Sequence, residues 1–287
     1  MPTVSIIAGS KSDEKFVKPI EEELKKDNIT FETVYLSAHR DKEKLGAYVK
    51  NSDAEYFIAA AGLAAALPGS IAADTNKPVI AVPVWGGSAS SPAGLDALLA
   101  AVQMPPPKDG KDVALGTVAI NGGAHAATFV VNSLRIRQEK QKYDVIVDTR
   151  DYKVPDEIIK KLSENLKQIG LVYCIDSDLP ESDNYDDARV VIMVTDRSRT
   201  ISGYLKGMGA PAYLRQVVVL PLLQKQEVDL LDIISNPNWN YEVPADAPHP
   251  LELFNKLFNM APDGPAVAVG FNRYDNAAIL AKKLLGK

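Results

Sequence analysis

Residues 57–73 read FIAAAGLAAALPGSIAA, the longest apolar run in the chain. Its length approaches that of a membrane span, but alanine dominates it and Gly62, Pro68 and Gly69 interrupt it. Those breakers predict a buried strand, a turn and the start of a helix. The same strand-then-helix pattern recurs on either side. TVSIIA (3–8) precedes a helical stripe of Phe16, Val17, Ile20 and Leu24 within Asp13–Asp27. FETVYL (31–36) is followed by a helix from about Asp41, and EYFIAAA (55–61) by one after Leu67. PVIAVPV (78–84) precedes a helix near Pro92–Val102, and LGTVAI (115–120) one near Gly123–Glu139. Five such units with nearly continuous apolar strands predict a parallel sheet covered on both faces. Ligands of such sheets bind beyond the carboxyl ends of the strands.

The second half repeats the first in outline. YDVIVD (143–148) matches TVSIIA, and RVVIMVTDRSRTISG (189–203) matches EYFIAAAGLAAALPG (55–69) in pattern. QVVVLPL (216–222) matches PVIAVPV, and NAAILAKKLL (276–285) matches HAATFVVNSL (125–134). Four blocks in the same order predict a tandem duplication. The expected domains are 1–140 and 141–287, with the boundary in the charged stretch QEKQK (138–142). The fold expected is two tandem three-layer α/β/α, flavodoxin-like units. The copies diverge where strands end: DTRDY and DSDLPESDNYD stand in for GSKSD and SAHR. The second copy also carries NPNWNYEVPADAPHP (236–250), which reads as a surface loop. It is expected to be a structural repeat without a site.

The bulk numbers exclude several function classes. A net charge of −5 provides no broad basic face, so no nucleic-acid partner is expected. One cysteine, Cys174, rules out an intramolecular disulfide and a cysteine-rich zinc site. MPTVSIIAGS has no basic leader and no membrane span is read, so the expected location is cytoplasmic.

Three loops fall at strand ends in the first half. In GSKSD (9–13), Gly9 permits a tight turn, and Ser10, Ser12 and the helix-start amides suit a phosphate or sugar hydroxyl. Ser12 or Asp13 serves equally as a plain helix cap. In AGLAAALPG (61–69), Gly62 and Leu63 open a small-residue loop where a flat ligand can lie on backbone, or where a turn simply packs tightly. SAHR (37–40) sets an imidazole, His39, beside a fixed cation, Arg40. Imidazole exchanges protons near neutrality and guanidinium suits phosphate. Of the other histidines, His125 reads as a core or helix-start residue or as a neighbour of the site, and His249 as a surface residue. Trp85 and GGSASSP (86–92) read as a flap or a flexible loop.

GSKSD, SAHR, AGLAAALPG, KPVIAVPV, GLDALLAAVQMP and VAIN, in this order over residues 3–137, resemble the PurE family. These are N(5)-carboxyaminoimidazole ribonucleotide mutases and their aminoimidazole ribonucleotide carboxylase relatives. The resemblance implies that His39 is the catalytic acid–base, that Ser10 and Asp13 hold the ribose–phosphate and that Arg40 holds the phosphate. Ser12, Ser37, Gly62 and Leu63 complete the expected substrate-binding set. It further implies a purine-pathway reaction on aminoimidazole ribonucleotide, with CO2 as intermediate or substrate and with no metal or organic cofactor. The chain departs from the pattern at Ala66, where a second histidine is common, and at His125, where asparagine is usual. Mutase is the first reading, direct carboxylase the alternative. A non-catalytic nucleotide-binding module is the rival from another class. A nickel-pincer cofactor carboxylase is a weaker one, because that type lacks SAHR in this form. The resemblance also implies oligomers: single-copy relatives are generally octamers, so tandem chains are expected to form a homotetramer.

Overall fold

The computed structural model describes residues 2–63, 65–87, 94–105, 113–137, 140–149, 154–180, 185–195, 216–221, 266–269 and 273–287. The first half forms β1 (Val4–Ala8), β2 (Phe31–Tyr35), β3 (Tyr56–Gly62), β4 (Val79–Val84) and β5 (Gly116–Thr117). Between and after them lie α1 (Glu14–Lys26), α2 (Lys42–Asn51), α3 (Ala66–Asp74), α4 (Leu95–Val102) and α5 (Gly123–Ile136). The strands pair in parallel in the order β2-β1-β3-β4-β5. The α/β parallel-sheet expectation holds here.

Alternation along each strand divides the core between two faces. Ile6, Ile58 and Ala60 pack with Val17, Ile20 and Leu24 of α1 and with Phe129 of α5. Ile7, Phe57 and Ala59 pack with Leu45 of α2, Ile71 of α3 and Ala97 of α4. Both faces are therefore dry, and the run 57–73 resolves into the buried β3, a turn and α3. No helix among the described residues is long and apolar enough to cross a membrane.

Two elements differ from their predicted bounds. Helix α4 begins at Leu95, because Gly94 holds φ +83°, a left-handed conformation that a helix cannot continue through. Strand β5 is only two residues long. Val118 N–H still donates to Ala81 C=O at 3.1 Å, but Asn121 at φ +60° then turns the chain.

The remaining strands are β6 (Tyr143–Asp148), β7 (Tyr173–Ile175), β8 (Ala188–Thr195), β9 (Gln216–Pro221) and β10 (Ala266–Ala268). They join the same sheet, whose full order is β2-β1-β3-β4-β5-β10-β9-β8-β6-β7. The pairs β6–β7, β6–β8, β8–β9 and β9–β10 are parallel, while β5 meets β10 antiparallel through Thr117 and Ala268. Helix α6 (Asp156–Gln168) packs against α7 (Tyr274–Leu285), as α1 packs against α5. One apolar cluster runs from Val4 in β1 to Leu285 in α7.

Polar contacts lock the junction. Arg137, just past α5, donates to the carbonyls of Lys283 and Leu284 at 3.2 Å each, adding side-chain donors to the last turn of α7, where Lys283 C=O also accepts from Gly286 N–H at 3.0 Å. The same guanidinium donates to Glu55 at 3.2 Å and lies 5.3 Å from the Tyr56 ring centre. Lys283 in turn reaches back to the Thr75 carbonyl at 3.4 Å.

At the far edge Asp144 is 5% exposed and accepts from Val172 N–H at 2.9 Å, from Lys287 Nζ at 2.5 Å and from Arg189. Burial alone would raise its pKa, but these three hydrogen bonds prevail and hold it below the usual carboxylate range. A carboxylate whose pKa is depressed by folding stabilises the fold above its unfolded value, and that contribution disappears as pH falls through the folded value. Asp144→Asn is therefore expected to lower stability at pH 7 by about 2 kcal/mol, the scale of a charge-assisted hydrogen bond. The gap from the wild-type chain should be constant above about pH 5 and begin to narrow only as pH falls below about 4, toward the lower folded value. Thermal melts across pH 3–8 check this, and a gap independent of pH would contradict it.

Candidate active site

The three loops singled out in the sequence lie at the carboxyl ends of adjacent strands β2, β1 and β3. In flavodoxin-like order the direction of winding reverses at β1 and β3, which opens a crevice there. Every candidate residue falls in a described segment.

After β1, Gly9 and Ser10 lead into a single 3-10 turn, Lys11–Asp13, that runs into α1. Ser10 Oγ accepts from Ser12 N–H at 3.3 Å and from Ser12 Oγ at 3.1 Å. Ser10 is therefore the cap of that turn, while Asp13 makes no side-chain cap to α1. Burial pushes the Asp13 carboxyl above its ordinary range, against a backbone hydrogen bond at Ser10 and the charges of Arg40 and Lys15. A carboxyl whose pKa is raised by folding opposes the fold once ionised, above that raised value. Asp13→Asn is accordingly expected to leave Tm unchanged or higher near neutral pH. A clear fall in Tm, read by calorimetry, would contradict this.

After β2, the ladder continues for one more residue as Leu36 N–H donates to Ala8 C=O at 2.9 Å. The chain then tightens. Ser37 N–H donates to the Asp41 carboxylate at 3.0 Å, Asp41 N–H to Ser37 C=O at 2.8 Å, and Arg40 N–H to Ser37 Oγ at 3.3 Å. This turn leaves His39 and Arg40 exposed, and no described side chain holds the His39 imidazole. Arg40 Nη2 donates to Gly9 C=O at 3.3 Å, tying the second loop to the first. One cation, a run of serine hydroxyls and an exposed imidazole thus share one end of the sheet.

After β3, Gly62 closes the strand beside Val84, where an added Cβ would sit 3.0 Å from the Val84 carbonyl oxygen. Leu63 follows at φ +50°, a strained backbone for a bulky residue, and is 53% exposed. The loop is both a tight turn and a surface at which apolar area meets water. Ala66 begins α3. His125 is buried in the first turn of α5, whereas His39 is exposed. His249 lies outside the described residues, as do residues 88–92 of the GGSASSP stretch.

One feature was not read from the sequence. Asn121, at the end of VAIN, hydrogen-bonds with both backbone groups of Trp85, which is next to the carboxyl end of β4. The local signal was an asparagine followed by two glycines, a pattern suited to positive φ.

Comparison with known proteins agrees with these motifs. The family model described as AIR carboxylase matches residues 3–153. The N5-carboxyaminoimidazole ribonucleotide mutase of Methanocaldococcus jannaschii is 45% identical over 136 residues, covering 47% of this chain and 81% of that protein. The protein of the same name from Thermotoga maritima is 37% identical over 175 residues, covering 59% of this chain and 95% of that protein. The phosphoribosylaminoimidazole carboxylase of Candida glabrata is 34% identical over 174 residues, covering 59% of this chain and 28% of that protein. With more than half its length matched, and with GSKSD and SAHR side by side at the carboxyl ends of β1 and β2, the chain belongs to the AIR carboxylase family.

Proposed function

We propose that this chain converts N5-carboxyaminoimidazole ribonucleotide to 4-carboxyaminoimidazole ribonucleotide in purine biosynthesis. The observation that carries the reading is the Arg40–Gly9 contact, which draws a phosphate-type loop and a histidine-bearing loop together in a chain of this family. Arg40 and the Ser10–Asp13 turn take the ribose phosphate, with Ser37 shaping the turn that presents Arg40. Gly62 and Leu63 flank the ring.

In the reaction the bond between the exocyclic nitrogen and its carboxylate breaks as His39 delivers a proton to that nitrogen, giving CO2 and aminoimidazole ribonucleotide. Carbon 4 of the ring then attacks the trapped CO2, forming a carbon–carbon bond. The proton on carbon 4 leaves to a base, and His39 is the exposed imidazole at the strand ends available to take it. Direct carboxylation uses the same proton transfer, and one matched relative carries a carboxylase name, so it stands as the second reading. Purified chain supplied with the N-carboxylated nucleotide, or with aminoimidazole ribonucleotide and bicarbonate, separates them by which substrate is consumed efficiently. Consumption of neither would overturn both.

We infer also that residues 1–140 and 141–287 are tandem repeats, with the site in the first. In support, β6–β10 reproduce the order of β1–β5, and α6 and α7 reproduce the pairing of α1 and α5. At the end of β7, where SAHR would fall, stands Asp176, which accepts from Thr149 N–H at 3.1 Å and Oγ at 2.6 Å. A carboxylate there repels a phosphate dianion. The assembly proposed is a cytoplasmic homotetramer of tandem chains.

A further inference from the structure

Trp85 is the first residue beyond β4, and at 42% exposed it is, with Leu63 and Val172, one of the large apolar side chains among the described residues that are held out in water. Its backbone is held firmly. Trp85 N–H donates to Asn121 Oδ1 at 2.9 Å, and Asn121 Nδ2 donates to the Trp85 carbonyl at 3.4 Å. Asn121 N–H in turn donates to Pro83 C=O at 2.8 Å. With its backbone at φ +60°, this one residue extends the edge of β4 as a further strand would. From another side Gly94 leaves no space: an added Cβ would lie 2.8 Å from Trp85 Cβ. The main chain and Cβ of Trp85 are thus fixed while its indole stays accessible.

The position is informative. β4 is separated from β1 by β3, so its end lies about 10 Å along the sheet from the Gly9–Asp13 loop. A mononucleotide with its phosphate at Arg40 and the Ser10 turn would extend its ring over β3, where Leu63 is exposed, toward β4. We propose that the Trp85 indole is the wall on which the substrate's imidazole ring stacks, and that Asn121 and Gly94 are its positioning residues. This rests on the nucleotide reading given above.

The chain has two tryptophans, Trp85 and Trp239, so Trp239→Phe leaves Trp85 as the sole indole reporter. Titration of this variant with aminoimidazole ribonucleotide is expected to give a saturable fluorescence change at the dissociation constant that calorimetry measures. Ribose 5-phosphate, which lacks the ring, should give none. In the otherwise natural chain, Trp85→Ala should weaken binding about tenfold or more, the scale of aromatic stacking on one heterocycle. Trp85→Phe should recover most of that loss. Asn121→Ala keeps the indole but frees its backbone, and should shrink the optical response and raise KM more than it lowers kcat. Nucleotide binding in calorimetry with a silent indole and unchanged affinity in Trp85→Ala would overturn this proposal and leave the functional reading standing. Absence of nucleotide binding in the natural chain would overturn both.

Discussion

Replacing His39 with asparagine is expected to lower turnover by at least about 100-fold, the scale of general acid–base catalysis, with nucleotide affinity nearly intact. The imidazole stands exposed in the turn after β2, next to the cation that bridges to Gly9. Asparagine preserves much of the size and polarity but can neither accept nor return a proton. His125 cannot readily take over, because it is buried in the first turn of α5. Steady-state kinetics with both candidate substrates provide the readout. A variant that keeps most of its turnover removes His39 from the mechanism, and a variant that loses binding in proportion makes it a binding residue instead.

Replacing Gly116 with valine should damage the fold more than any other single change considered at the junction. Gly116 lies in β5, and even an alanine Cβ would come within 2.7 Å of Val267 Cγ2 and 2.9 Å of Val267 Cβ in β10. The Leu280 side chain of α7 closes the space from a third direction at 3.3 Å. Overpacking of this kind costs about 1–3 kcal/mol, and valine adds three carbons to a position with no room for one. A loss of about 3 kcal/mol is expected, seen as a lower midpoint in denaturant melts. Val267→Ala in the same chain should restore part of it, since the two residues are in contact and their effects should not add. Full additivity, or a neutral Gly116→Val, would mean that β5 and β10 do not pack as described.

The first half was legible because each element there announces itself locally. Val17, Ile20 and Leu24 recur at helical spacing, and Tyr56–Gly62 is too short and too soon broken to be anything but a buried strand. The loops at the strand ends were legible for the same reason, since GSKSD and SAHR each follow a strand directly. The junction was not. Ala266–Ala268 is three small apolar residues without turn chemistry that names a partner, and its antiparallel pairing to Thr117 depends on a residue 151 positions away. The hold of Asn121 on Trp85 was hidden likewise, because a carboxamide bonded to a backbone 36 residues distant leaves no local pattern. Helix periods and strand alternation record which face is buried; they do not record which edge meets which.

Calorimetric titration of the full chain with aminoimidazole ribonucleotide, alongside Arg40→Ala, bears most directly on a single nucleotide site at the ends of β1–β3. The expected result is about one nucleotide bound per chain. Arg40→Ala should raise the dissociation constant at least about tenfold, as loss of a charge-assisted phosphate contact requires. Two nucleotides per chain, or an affinity indifferent to Arg40, would contradict it.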